Sequence, residues 1–192
     1  MILGSHNSWS YLKPKKWWMK AIAFTAKCQQ KSIGQQYNDY GVRCFDLRLR
    51  FTNKGHLVVA HGLIEYSITP EQLLDQLSML NSLGNVCVRV LHEMRKGMSC
   101  SLDEILSFQN FCDYIVGIYP NIKFFGGDSS GDGTQHYHFE NTYSCEGKHA
   151  SVTPPKLLDN WLPKVYAKLH NRDSYHEGTS KDILFLDFVD IC

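Results

Sequence analysis

His6 stands in G-S-H-N-S and His61 in V-V-A-H-G, each directly behind a short apolar run. Between them, V-R-C-F-D-L-R-L-R sets Asp46 and Arg48 two residues apart, on one face if the run is a strand. Glu93 follows V-C-V-R-V-L-H, and Asp187 follows I-L-F-L near the end of the chain. Two histidines of opposite protonation can act as general base and general acid. An arginine beside them can hold a phosphate oxygen through two N–H donors and stabilise charge in the transition state. A carboxylate bonded to one imidazole fixes its tautomer and raises its basicity. Such a set suits cleavage of a phosphodiester by a neighbouring hydroxyl, with no metal needed. Each residue also has a plainer role open to it. A histidine after a strand is often only hydrogen-bonded, Arg48 can pair with Asp46 or Glu93, and Asp187 can cap a strand end.

For these residues to act together, the apolar runs must bring them to one place. The expected strands are Met1–Gly4, Val42–Leu49, His56–Ala60, Val86–Leu91, Ile122–Phe125 and Ile183–Phe188, with a weaker one near His136–Glu140. Most are short, rich in Val, Ile, Leu and Phe, and hardly alternate, which predicts parallel strands covered on both faces. Thr69-Pro70-Glu71-Gln72 forms a capping box ahead of a Leu73, Leu74, Leu77, Leu80, Leu83 stripe, and Gly84 ends that helix. Ser101-Leu102-Asp103-Glu104 is a second capping box, before Ile105, Phe108, Phe111, Cys112 and Ile115. Leu157, Leu158, Trp161, Leu162, Val165, Tyr166 and Leu169 predict a third helix, kinked or restarted at Pro163. Strand–helix units of this size define a parallel α/β architecture in one domain over residues 1–192. In a closed parallel barrel, catalytic groups gather at the carboxyl ends of the strands. His6, Asp46, Arg48, His61, Glu93 and Asp187 then converge on one mouth. G-G-D-S-S-G-D-G at Gly126–Gly133 reads as a flexible loop.

Composition narrows the partners. A net charge of +1 gives no field that would favour nucleic acid. No apolar window reaches the eighteen or so residues of a membrane span, and the first residues are too polar for a signal peptide. The seven cysteines are odd in number and scattered, so reduced thiols in a reducing intracellular compartment are expected. A monomer is expected too. His136 and His138 offer two metal ligands without a third at a suitable spacing, so no metal or other cofactor is implied.

Taken in order, G-S-H-N-S, Y-G-V-R-C-F-D-L-R, V-V-A-H-G and the T-P-E-Q-L-L helix resemble the X-domain of phosphatidylinositol-specific phospholipases C. The resemblance is strong over residues 3–93, moderate over the final strand, and weak between, where only Y-H-F-E-N-T-Y matches a substrate-side segment. It implies a distorted (β/α) TIM-type barrel. It makes His6 the base for the inositol 2-hydroxyl, His61 the acid for the diacylglycerol oxygen, Arg48 the phosphate contact and Asp187 the partner of His6. The first product is then a cyclic inositol phosphate. The same resemblance leaves Asn7, Asp46, Arg89, Glu93 and Tyr143 as substrate-side residues, with Arg95 a further basic candidate for the headgroup pocket. The calcium-dependent branch carries a carboxylate where this chain has Arg48. A guanidinium there supplies the positive charge and repels the ion, which implies the metal-independent, bacterial-type branch.

Three departures from the family accompany this, one being that no basic residue after the fourth strand clearly takes the inositol-pocket position, with Arg89 and Arg95 the candidates. Asn7 replaces the aspartate usual in the bacterial type, leaving a neutral partner for His61, and either slower turnover or an acid of lower pKa is expected. The 192 residues are also short against the roughly 250 of such barrels, so some elements must be reduced. Lys13, Lys15, Lys16 and Lys20 interleave with Trp17 and Trp18 where the family carries an interfacial tryptophan, implying peripheral contact with a phospholipid membrane. One of the two tryptophans is expected to pack inward. Two alternatives stay open: a non-catalytic module that binds a phospholipid headgroup, and a barrel phosphodiesterase dependent on a divalent metal.

Overall fold

Strand β2, Cys44–Phe51, shows why the chain folds as it does. Phe45, Leu47, Leu49 and Phe51 point to one side and join the main hydrophobic core. Cys44, Asp46, Arg48 and Arg50 occupy the alternate positions and point to the other. The flanking strands repeat this division. In β5, Val86–His92, Val86, Val88 and Val90 enter the main core, whereas Cys87 belongs to a second cluster and Arg89 shares its side. In β8, Ile183–Leu186, Leu184 and Leu186 face the first cluster while Ile183 and Phe185 face the second. One face of the sheet is thus apolar along its length. The other is apolar at the amino ends of the strands and polar at their carboxyl ends.

The computed structural model describes residues 1–52, 54–94, 99–131, 133–146, 162–177 and 180–191. Six parallel strands run β6–β5–β2–β1–β8–β7, with β1 at Ile2–Ser5, β6 at Ile122–Ser129 and β7 at Cys145–Glu146. Among the described residues, β6 and β7 are each paired on one side only. Helix α1, Ile33–Tyr40, follows three short 3-10 turns. Helices α2 (Pro70–Leu83) and α3 (Leu102–Ile118) begin at the expected Thr69 and Ser101 capping boxes. They bury Leu73, Leu77 and Leu80, and Phe108, Cys112 and Ile115, against the apolar face. Helix α4 spans Pro163–Glu177. It starts at the proline, whose fixed φ and missing N–H suit a first turn. Leu157, Leu158, Trp161 and Arg95 lie outside the described residues.

Three expectations need correction. Strand β3, Leu57–His61, is antiparallel to β2 and not another parallel strand. It takes the edge of β2 from Leu49 to Phe51, beyond the point where β1 ends, and β4 (Ile64–Glu65) pairs back onto it. Residues 136–140 form no strand; only Gln135 bridges to Asp128. His136 is buried with Nδ1 2.8 Å from His92 Nδ1, whereas His138 is exposed, so the two do not share a site. The glycine-rich run is not wholly a loop either, since β6 continues through Gly126 and Gly127 to Ser129. Gly126 and Gly127 have φ of 99° and 87°, and the register shifts beside them, between Val90 and His92. A Cβ on Gly127 would lie 1.9 Å from the Tyr137 carbonyl oxygen. Backbone conformation and close approach both require glycine here.

Gly127→Ala is therefore expected to lower unfolding free energy by about 2–4 kcal/mol in urea titrations. Gly117→Ala, in open space on α3, should be neutral or stabilising by up to about 1 kcal/mol. Equal effects would contradict this view of the β6 irregularity.

Candidate active site

His6 is the first residue after β1, and its N–H donates to the Leu186 carbonyl (2.9 Å). The parallel register Ser5↔Leu186 sets it beside Asp187, which follows β8. His6 Nδ1 lies 2.7 Å from Asp187 Oδ1, and Arg48 NH2 lies 2.9 Å from His6 Nε2. A guanidinium only donates, so Nε2 must offer its lone pair and the ring proton must sit on Nδ1, donated to Asp187. His6 is thus held as a neutral imidazole with its basic nitrogen towards the arginine. Its side chain is 17% exposed, while Asp187 is fully buried.

Arg48 is aimed by two carboxylates. Its Nε donates to Asp46 Oδ2 at 3.0 Å and its NH1 to Glu93 Oε2 at 3.3 Å. Asp46 has no exposed surface, and it also accepts Arg89 Nε (2.9 Å) and the Asn7 backbone N–H (2.9 Å). Burial favours a neutral Asp46, but the charges of Arg48 and Arg89 outweigh it and hold the carboxyl well below the usual carboxylate range. Glu93 is likewise lowered, burial being overcome by Arg48, His61 and the Gly62 N–H, which donates to Oε1 at 2.6 Å. Arg89 sits with its guanidinium carbon 4.1 Å above the Phe185 ring.

His61 reaches the same place by a different route. Because β3 runs back along β2, its last residue arrives beside the end of β1, and the His6 and His61 rings lie edge to face with centroids 5.6 Å apart. That separation lets both imidazoles meet one substrate. His61 Nδ1 donates to the Ala26 carbonyl (3.0 Å), which leaves Nε2 bare. Burial, then the charge of Arg48, lowers its pKa to about 4.

Asn7 does not touch His61 directly. Fully buried in a left-handed conformation (φ 44°), it donates through Nδ2 to the same Ala26 oxygen (3.3 Å) and lies 3.4 Å from the Tyr66 hydroxyl.

Several participants carry no sequence signal. Gln29 donates to the carbonyls of His6 (3.1 Å) and Leu186 (2.8 Å), and accepts from Val189 N–H, locking the ends of β1 and β8 together. Ala26 acts only through its backbone, and Cys28 packs behind the histidines with Sγ 3.9 Å from His61 Nδ1. These residues lie in an irregular stretch without periodicity to reveal them. Tyr143 is not brought to the site: it packs on Phe125 (centroids 5.1 Å) in the apolar cluster with Ile183 and Cys87, towards the amino ends of the strands. Trp17 and Trp18 are both exposed, at 82% and 43%, and Met19 is the residue that packs inward. Lys15 and Lys16 are exposed beside them.

No family model and no curated protein matches this sequence. Solved structures do resemble it. A mutant of the phosphatidylinositol-specific phospholipase C from Staphylococcus aureus is 17% identical, with a TM-score of 0.58 over 97% of this chain and 84% of that one. The phosphatidylinositol-specific phospholipase C from Listeria monocytogenes is 14% identical, with a TM-score of 0.53 over 97% and 87%. Another structure of the Staphylococcus aureus enzyme, from work on modulating its membrane binding, is 16% identical (TM-score 0.57, 97% and 85%). At these identities the likeness establishes the fold, a mixed α/β arrangement of the TIM type found in those enzymes.

In the free protein, the His61 ring resonances are expected to titrate near 4. An unfolded histidine takes up its proton near pH 6.5, so His61 stabilises the folded state above that pH and progressively less as pH falls towards 4. Wild-type stability in urea should therefore rise between about pH 4 and 6.5 more steeply than that of His61→Gln. Parallel slopes, or a His61 midpoint near 6.5, would contradict the assignment.

Proposed function

We propose that this protein is a phosphodiesterase that cleaves phosphatidylinositol-like lipids, with the inositol 2-hydroxyl attacking phosphorus. The single observation that carries the reading is the placement of His6 between Asp187, 2.7 Å from Nδ1, and Arg48, 2.9 Å from Nε2, which selects the tautomer with a bare Nε2. Nε2 takes the 2-hydroxyl proton, and Asp187 stabilises the imidazolium that results. The oxygen–phosphorus bond forms as the bond to the diacylglycerol oxygen breaks, and His61 protonates that oxygen. Diacylglycerol and a cyclic inositol phosphate leave. As Nε2 gains its proton, the NH2 group of Arg48 turns from His6 to a phosphate oxygen, while Asp46 and Glu93 hold the rest of the guanidinium in place.

His61 must be protonated to act. The anionic diester beside Arg48 offsets the guanidinium charge that helps depress its pKa, so substrate itself favours the acid form. Asp46 and Glu93 are both engaged by arginine, an arrangement that supports a metal-independent reaction over one using calcium. Trp17, Trp18, Ile22 and Phe24 are exposed alongside Lys13, Lys15, Lys16 and Lys20, which supports peripheral binding to an anionic membrane. The low pKa of His61 also favours a second reading, a module that binds the headgroup without turnover.

Incubation with phosphatidylinositol vesicles separates these readings. We expect release of cyclic inositol phosphate that survives a chelator, and losses of about 10²–10⁴-fold in His6→Ala and His61→Ala. Headgroup binding without turnover would favour the module, and loss of turnover on chelation would favour a metal-dependent enzyme. The double variant Trp17→Ala/Trp18→Ala should bind vesicles more weakly in sedimentation while leaving cleavage of a soluble, short-chain substrate intact.

A further inference from the structure

Cys28 has no part in this chemistry, yet it is buried against the groups that do. Among the described residues, His6, Cys28 and Asp187 each offer a ligand atom, all within 4.8 Å of one another. A thiolate, an imidazole and a carboxylate are the donors of a tetrahedral zinc-type site, in which sulfur and nitrogen ligands stand about 3.6 Å apart. The trio therefore needs to close by only about an ångström. It is also anchored. The Phe188 N–H donates to the Cys28 carbonyl, and Gln29, the next residue, is bonded to the backbone of both His6 and Leu186. The partly exposed His6 ring provides the approach from solvent.

We propose that His6, Cys28 and Asp187 form an inhibitory site for a thiophilic divalent cation of the zinc type. On binding, the Cys28 S–H bond breaks, its proton passes to solvent, and a sulfur–metal bond forms. The ion takes one ring lone pair of His6 and one oxygen of Asp187, with water completing the shell. Nδ1, the nitrogen turned to Asp187 and away from Arg48, takes the ion; the remaining ring proton moves to Nε2, and the hydrogen bonds to Asp187 and Arg48 are both lost. His6 then has no lone pair left to accept a proton, so the ion acts as an inhibitor and not as a cofactor. Metal binding stands independently of the proposed reaction; only its inhibitory consequence rests on that reading.

Titration of the reduced, full-length protein with Co²⁺ tests this, because cobalt–thiolate bonds absorb in the near ultraviolet and tetrahedral cobalt in the visible. We expect both bands to saturate at one equivalent, to be abolished by excess Zn²⁺, and to be lost in Cys28→Ser. Co²⁺ affinity should fall at least tenfold in His6→Ala. Absence of a thiolate band in the wild type overturns the proposal without reference to any variant, as does unchanged affinity in His6→Ala or a band that survives Cys28→Ser. In the vesicle assay, Zn²⁺ should stop wild-type turnover, and Cys28→Ser should need at least tenfold more. If no turnover is seen at all, the absorbance result still decides the metal site, so the two proposals fail separately.

Discussion

Enclosing the Asp46 carboxylate is the constraint on which the rest of the site depends. A buried charge is tolerated only when its oxygens are matched by donors and by opposite charge. Asp46 lies on β2, between β1 and β5, and draws a donor from each. Arg48 comes from its own strand, Arg89 from its register partner on β5, and the Asn7 N–H from the turn after β1. One carboxylate therefore fixes how three neighbouring strands end, and it aims the guanidinium that reaches His6.

From that point the geometry leaves little freedom. Arg48 can only donate, so the nitrogen of His6 that faces it must accept, and the other must carry the proton. Asp187 receives that proton because β1 and β8 are parallel and in register to their last pair, with Gln29 binding both ends. The ring is oriented before any substrate arrives, so less of the binding energy is needed to arrange the reacting groups. His61 completes the pair from an antiparallel strand, which is why it approaches from beside β1 and finds its partner in the Ala26 carbonyl.

Much of this was legible in the sequence, for identifiable reasons. Helices α2 and α3 begin where their capping boxes stand, since capping is local chemistry. His6, Asp46, Arg48, His61, Glu93 and Asp187 converge because each closes or adjoins an apolar run. The reversal of β3 was not legible: L-V-V-A-H suits a parallel or an antiparallel strand equally, and only pairing with the far half of β2 decides. Gln29 and Cys28 were invisible because they sit in non-periodic chain and act across long sequence separations. Tyr143 packs apart from the histidines because a motif match does not say at which end of a strand a residue falls. The continuation of β6 through Gly126 and Gly127 was hidden for a related reason, since paired glycines mark a bulge as readily as a loop.

His6 rests as one neutral tautomer, with its proton on Nδ1 facing Asp187 and its lone pair on Nε2 facing Arg48. Nitrogen-15 NMR of the histidine-labelled protein, with His6 assigned through His6→Gln, reads this directly. At neutral pH we expect a protonated, pyrrole-type Nδ1 and a bare, pyridine-type Nε2 for His6, with Asp187→Asn disturbing that pattern. A protonated Nε2, or a fully protonated ring in the free protein, would contradict the account.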